Sequence, residues 1–194
     1  MFKPEAVKGL GSPPARSAPI GHQCILRSMA RPVNPVLFYN PDGYRVTRTD
    51  LKGRHSAGEA FLTAFLALNE AAEVFALCGD KDAAQAFKAD VEASGRKLTA
   101  HPLGRMDVAA LRRQGMLYLP HPNIAQETRL RSFLGDDAYA LSGVTHTISS
   151  REILSGIADL TMAPTMPFDA VICTSRCVHD ALSGVLTRTE DDLR

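Results

Sequence analysis

The sequence predicts an α/β fold in which a mainly parallel sheet is covered by helices on both faces, and three observations predict it. Short apolar runs of β type recur from residue 35 onward. Stretches with helical spacing of apolar residues alternate with them, and those stretches carry helix start and stop residues at their ends. Strand, helix, strand in regular alternation implies right-handed crossovers, because each helix must carry the chain back across the sheet before the next parallel strand begins. Such an arrangement is Rossmann-like.

The 194 residues suit one domain with some excess. Six of the twelve prolines fall in residues 1–35, together with Lys3, Lys8, Arg16, Arg27 and Arg31 against the lone Glu5, so residues 1–34 read as an unfolded leader. The leader's start is basic, but the apolar run and small-residue cleavage site of a signal peptide are missing, which argues against export. Met29 stands just before the ordered pattern and offers an alternative translation start. The folded domain is expected over 35–187, followed by a charged tail at 188–194.

The expected strands are 36–39, 73–78, 97–100, 116–119, 139–145 and 169–173. Ser56 and Glu59 form a capping box ahead of an apolar stripe of Phe61, Leu62, Phe65, Leu66 and Leu68, which predicts the first long helix. Helices over 82–94 and 107–114 end at Gly95 and Gly115, since glycine readily takes the left-handed conformation that stops a helix. Ser149 and Glu152 form a second capping box ahead of Ile153, Leu154, Ile157 and Leu160. Ser175 caps a last helix through Val178, Ala181, Leu182 and Val185.

Charge and composition exclude several classes. Lys plus Arg at 22 against Asp plus Glu at 21 leaves a formal charge of +1, too little for a general field that grips nucleic acid or an anionic membrane. The most apolar stretch, 61–68, runs at once into Asn69, Glu70 and Glu73, so no membrane span is expected. Cysteines at 24, 78, 173 and 177 form neither a disulfide framework nor a zinc knuckle. The chain is expected to be a soluble, cytoplasmic protein with no metal and no cofactor.

In parallel α/β sheets ligands bind outside the carboxyl ends of the strands, where crossover loops and helix N-termini open. The residues there are Asn40-Pro41-Asp42-Gly43, Gly79-Asp80, His101-Pro102, His121-Pro122-Asn123, His146-Thr147 and Thr174-Ser175. Three of the six histidines fall on this edge, although a strand-end histidine also commonly caps a loop, and their spacing carries no metal-ligand signature. The basic, glycine-punctuated stretch 42–55, with Lys52, Gly53 and Arg54 at its end, leads into a helix N-terminus that favours an anionic group; a solvated loop with an ordinary cap is the plain alternative. No GxGxxG fingerprint, phosphate loop or GxSxG elbow is present. A hydrolase or phosphatase using the strand-end histidines with Asp42 or Asp80 lacks a nameable nucleophile with a positioned base.

Gly143-Val144-Thr145-His146-Thr147, then Ile157-Ala158-Asp159-Leu160, then Ala170-Val171-Ile172-Cys173-Thr174-Ser175 with Val178 and Asp180-Ala181-Leu182 resemble the amino-terminal half of bacterial family-4 glycosyltransferases of the GT-B type. The likeness extends over about residues 35–186. In that family two Rossmann-like halves face each other across a cleft, the first holding a sugar acceptor and the second a nucleotide-sugar donor. The resemblance implies the acceptor-side half of a retaining hexosyltransferase, with sugar or glycan acceptors and nucleotide-sugar donors as partners. His146 matches the family histidine at the cleft floor, against the transferred sugar, where an imidazole hydrogen-bonds the sugar and stabilises developing charge. Thr147 beside it would be a substrate contact. Asp42, Gly43 and the Lys52-Gly53-Arg54 stretch would meet donor phosphates or acceptor hydroxyls, and His121 and Asn123 would line the acceptor side. Thr174 and Ser175 are expected to be a structural cap.

The departure from the family is the E-x7-E carboxylate motif of the donor half: no two glutamates here stand eight positions apart. The expectation is a truncated product or one half of a split enzyme, with little transferase activity on its own and a separately encoded donor-binding domain as partner. The alternative from another class is a non-catalytic carbohydrate- or anion-binding or interaction module built on the same sheet edge.

Overall fold

A computed structural model describes residues 34–45 and 53–194, with the backbone alone at 53–55. Apart from Asn34, the stretch read as a leader lies outside the described residues. Six strands form one sheet: β1 (Val36–Tyr39), β2 (Glu73–Cys78), β3 (Thr99–Leu103), β4 (Met116–Leu119), β5 (Ala140–Val144) and β6 (Ala170–Ile172). Every pairing is parallel and the order is β3-β2-β1-β4-β5-β6. The helices are α1 (Pro41–Tyr44), α2 (Gly53–Leu68), α3 (Lys81–Ala93), α4 (Val108–Gln114), α5 (Ala125–Ser132), α6 (Arg151–Ala158) and α7 (Arg176–Asp192), with a short 3-10 turn at Asp159–Thr161. The protein is an α/β fold of Rossmann type. Among the described residues no helix is long and apolar enough to cross a membrane.

The inner strands are buried on both faces, which is why they read as continuous apolar runs rather than alternating ones. Successive residues still part to opposite sides. Leu37 and Tyr39 of β1 join Leu62 and Leu66 of α2 and Phe87 and Val91 of α3 in one core layer. Val36 packs with Leu117, Leu119 and Leu141 of β4 and β5, and with Leu111 and Ile124 beside α4 and α5, in the other. The α2 stripe seats Phe61 flat on Tyr118 of β4, ring centroids 4.3 Å apart. The stop glycines do what the sequence requires: Gly95 and Gly115 take φ of 68° and 75°.

Several boundaries differ from the sequence reading, each for a local reason. Helix α2 starts at Gly53, so Ser56 lies inside it; an exposed Ser and Glu three apart on one helix face mimic a capping box. Helix α6 is capped by Ser150, whose hydroxyl accepts from the Ile153 N–H at 3.2 Å, while Ser149 bonds Thr147 instead. Strand β3 is displaced toward the carboxyl side, pairing His101 with Phe75 and Pro102 with Ala76, a proline that is tolerated because β3 is an edge strand. His101 is therefore inside a strand and not beyond its end: it stacks on Phe75 at 4.9 Å and its Nε2 meets Glu73 Oε1 at 3.1 Å. Residues 188–192 continue α7, with Arg188 and Asp192 paired at 3.3 Å, so helix runs through most of the expected tail.

One buried ion pair ties α5, β5 and the loop before β6 together. Arg131 and Asp169 meet through two parallel bonds, at 2.6 and 2.8 Å, with side-chain exposures of 0% and 3%. Arg131 also donates to the carbonyls of Tyr139 and Pro164, and Asp169 accepts from the N–H groups of Leu141 and Met166. Such a pair is worth keeping only because nearly every polar atom is satisfied, and removing one partner strands a buried charge. Arg131→Met is expected to lower stability by about 3–5 kcal/mol. Urea denaturation of the variant checks this, and a loss below about 1 kcal/mol would contradict the assignment.

Candidate functional site

Between β1 and β4 the strand order reverses. The chain leaves β1 toward β2 and leaves β4 toward β5, so the two crossovers depart in opposite directions and their loops separate at the carboxyl ends of the strands. A cleft of about 550 Å³ opens at that point. The turn after β1 contributes Asn40, Asp42 and Gly43; the turn after β4 contributes Pro120, His121, Pro122 and Asn123; the loop after β5 contributes His146, Thr147 and Ser150. Arg105, Gln126 and Glu127 line another part of the wall, with Glu152 and Ile153 of α6, and Phe38 completes it.

The β1 turn is held from several sides. The Asn40 side chain accepts from the Asp42 N–H at 3.1 Å and so caps the single-turn α1. Tyr44 donates its hydroxyl to the Phe38 carbonyl, and Arg45 grips Asp90 of α3, which also accepts from the Tyr39 hydroxyl. Close backbone approach does the rest. A Cβ on Gly58 would lie 1.9 Å from the Gly43 carbonyl oxygen, so only glycine lets α2 press on this turn. At Gly143 of β5 a Cβ would lie 2.6 Å from the His121 carbonyl oxygen, and at Gly156 of α6 it would overlap the Asn123 amide at 2.3 Å. These glycines bring the turns after β1 and β4 against neighbouring elements and so set the shape of the cleft.

His121 packs edge-on against Phe38, centroids 5.7 Å apart, and its Nδ1 is buried with no partner among the described residues. Burial holds its pKa below the ordinary 6.5, opposed by the negative charge of Glu152. His146, half-buried at the carboxyl end of β5, is also lowered by burial. Near pH 7 both imidazoles are therefore neutral, each offering one donor and one acceptor nitrogen. Asn123 donates weakly to the Glu152 carbonyl at 3.5 Å and packs on Gly156, which makes it a tie between the β4 turn and α6 as well as a wall residue.

Of the residues singled out in the sequence, Asp42, Gly43, His121, Asn123, His146 and Thr147 come together on this cleft. Lys52 lies outside the described residues. Gly53 and Arg54 open α2, and the side chain of Arg54 lies outside the described part. Asp80 caps α3 by accepting from the Ala83 N–H at 2.7 Å. Ser175 caps α7 through the Val178 N–H, and the Thr174 N–H donates to Thr145 Oγ1, so this strand end is a structural cap as expected. Sequence reasoning missed Arg105, Gln126, Glu127 and Glu152 because it stopped at the loops; reading one helical turn further at each strand end would have reached Gln126, Glu127 and Glu152. Among the described residues no three His, Cys, Asp or Glu side chains group as a metal site.

Neutral imidazoles, an amide, hydroxyls and carboxylates around a cleft of this size suit a small ligand rich in hydroxyl groups, which both donates and accepts. No protein-family model matches the chain, and neither a curated protein nor a solved structure matches it.

The lowered imidazole pKa values carry a sign. A histidine that titrates below its unfolded value binds fewer protons when folded, so its contribution to stability is present above pH 6.5 and is lost as pH falls below that toward the folded value. NMR titration of the ring resonances is expected to place both His121 and His146 below 6.5. A midpoint at or above that value for either ring would contradict the burial assigned to it.

Proposed function

We propose that the chain is the acceptor-side lobe of a glycosyltransferase of the GT-B type, moving a hexose from a nucleotide-sugar donor to a sugar or glycan acceptor opposite a donor-binding lobe. The observation that carries this reading is the position of His146. The histidine of the Gly143-Val144-Thr145-His146-Thr147 motif stands at the carboxyl end of β5 and lines the switch-point cleft together with Asp42, His121 and Asn123 from two other strand ends.

In the proposed reaction the bond from the sugar's anomeric carbon to the donor phosphate breaks and a bond to an acceptor oxygen forms. The acceptor proton passes to the departing phosphate. Burial favours a neutral His146, whose lone pair accepts a hydrogen bond from the sugar and bears on the positive charge that develops on the ring. Thr147 and Asn123 orient hydroxyls near it. Holding donor and acceptor in attack geometry is worth on the order of 7–11 kcal/mol, so a lobe that holds the acceptor turns over only with its donor-binding counterpart.

The test is a transfer assay with nucleotide-hexose donors, run with the chain alone and with a candidate donor-binding lobe. Turnover is expected only with both, and His146→Ala in the reconstituted pair is expected to lower kcat about 100-fold. Full turnover in that variant would remove His146 from the chemistry. Glycan binding without transfer, whatever lobe is added, would favour the non-catalytic binding module.

A further inference from the structure

Helix α5 carries two buried charged side chains, Arg131 and Glu127, with very different surroundings. Arg131 Nη1 and Nη2 each meet one carboxylate oxygen of Asp169, and Nε has no partner among the described residues. Glu127, in the first turn of α5, is 5% exposed and accepts no hydrogen bond among the described residues. Among the described residues its counter-charge is Arg105 in the loop after β3, with Nη1 3.7 Å from Oε1, beyond hydrogen-bond reach. Both side chains line the cleft, and Arg105 is half-exposed, with room to move.

The Glu127 side chain is buried in the wall, yet its carboxyl oxygens are not enclosed and open on the cleft, where a carboxylate with little solvent around it is best met by hydrogen-bond donors. Burial pushes the Glu127 pKa up, and the charge of Arg105 opposes that shift. Such donors can come from a ligand. A carboxylate accepts from hydroxyl groups and a guanidinium donates to their oxygens, so a pair of neighbouring hydroxyls can bridge the two side chains at once. Anionic and cationic ligands fit worse, because Glu127 repels the first and Arg105 the second. Asp42 and Glu152 elsewhere on the wall add to the unfavourable field for an anion.

We propose that Glu127 and Arg105 form a second polar binding position of the cleft, which takes vicinal hydroxyls of a neutral polyol or sugar acceptor. The assignment of that ligand as an acceptor rests on the transferase reading; the binding position itself does not. Glu127 is a binding residue, placed on α5 and so on a different element from His146.

The experiment titrates the isotope-labelled full chain by NMR with methyl α-D-glucopyranoside, with myo-inositol and, separately, with inorganic phosphate. Both polyols are expected to bind and to shift the Glu127 carboxyl resonance. Glu127→Gln and Arg105→Met are each expected to weaken that binding about five-fold, the loss of one hydrogen bond to a charged or polar partner. The arginine variant changes a half-exposed side chain and so tests the proposal even if the buried substitution unfolds the chain. No binding of either polyol, binding that leaves the Glu127 resonance unmoved, affinity unchanged in Arg105→Met, or phosphate binding at Arg105 in preference to the polyols overturns the proposal. Polyol binding that depends on Glu127 without transfer in the reconstituted pair keeps this position and removes the transferase reading. Transfer with an acceptor KM unaffected by Glu127→Gln does the reverse.

Discussion

The pairing of β1 with β4 is the constraint on which the rest of this structure depends. Val36 lies beside Leu117 and Leu37 beside Tyr118, so two strands separated by most of the first half of the domain are hydrogen-bonded neighbours. The chain runs outward from that pair in both directions, and right-handed crossovers then oblige the helices after β1 and after β4 to lie on opposite faces. The turns after β1 and β4 therefore diverge at the carboxyl ends. A cleft at that spot follows from topology, and side chains decide only its depth and chemistry.

Glycine and one ion pair supply the depth. Gly58, Gly143 and Gly156 sit where a single added carbon would strike the backbone of a binding turn or the Asn123 amide, so the walls approach more closely than any larger residue permits. Arg131 and Asp169 fix α5 against β5 from beneath, which holds the first turn of α5, and with it Glu127, in the wall. The ion pair of Arg131 and the cleft-lining glutamate lie one turn apart on the same helix. The first is stabilising scaffold; the second presents a carboxyl group to the cleft.

How much of this was legible in the sequence follows from what leaves a pattern there. The stripe Phe61, Leu62, Phe65, Leu66 announces α2 because a helix facing a sheet must be apolar on one side, and the buried strands announce themselves as short apolar runs. Asn40, His121 and His146 were found because strand ends are where polar residues gather in such folds. Helix α5 left no stripe: its buried residues include Glu127, Thr128 and Arg131, which read as a solvated segment until their partners in distant parts of the chain are known. The register of β3 was hidden because Pro102 argues against a strand unless its neighbour leaves that edge unpaired. Ser149 and Ser150 are chemically equal caps, and only the conformation of the β5 loop selects the second. Contacts made by glycines are silent in sequence, since what matters is an atom that is not there.

Placing the ligand at the switch point is the central claim, and backbone chemical-shift mapping tests it without reference to any reaction. The labelled chain is titrated with a neutral polyol, and amide shifts are followed along the sequence. The largest shifts are expected in the turns after β1, β4 and β5, in the loop after β3 that carries Arg105, and in the first turns of α5 and α6. Shifts gathered instead within β3 and α3, or spread evenly over the surface, would contradict that placement.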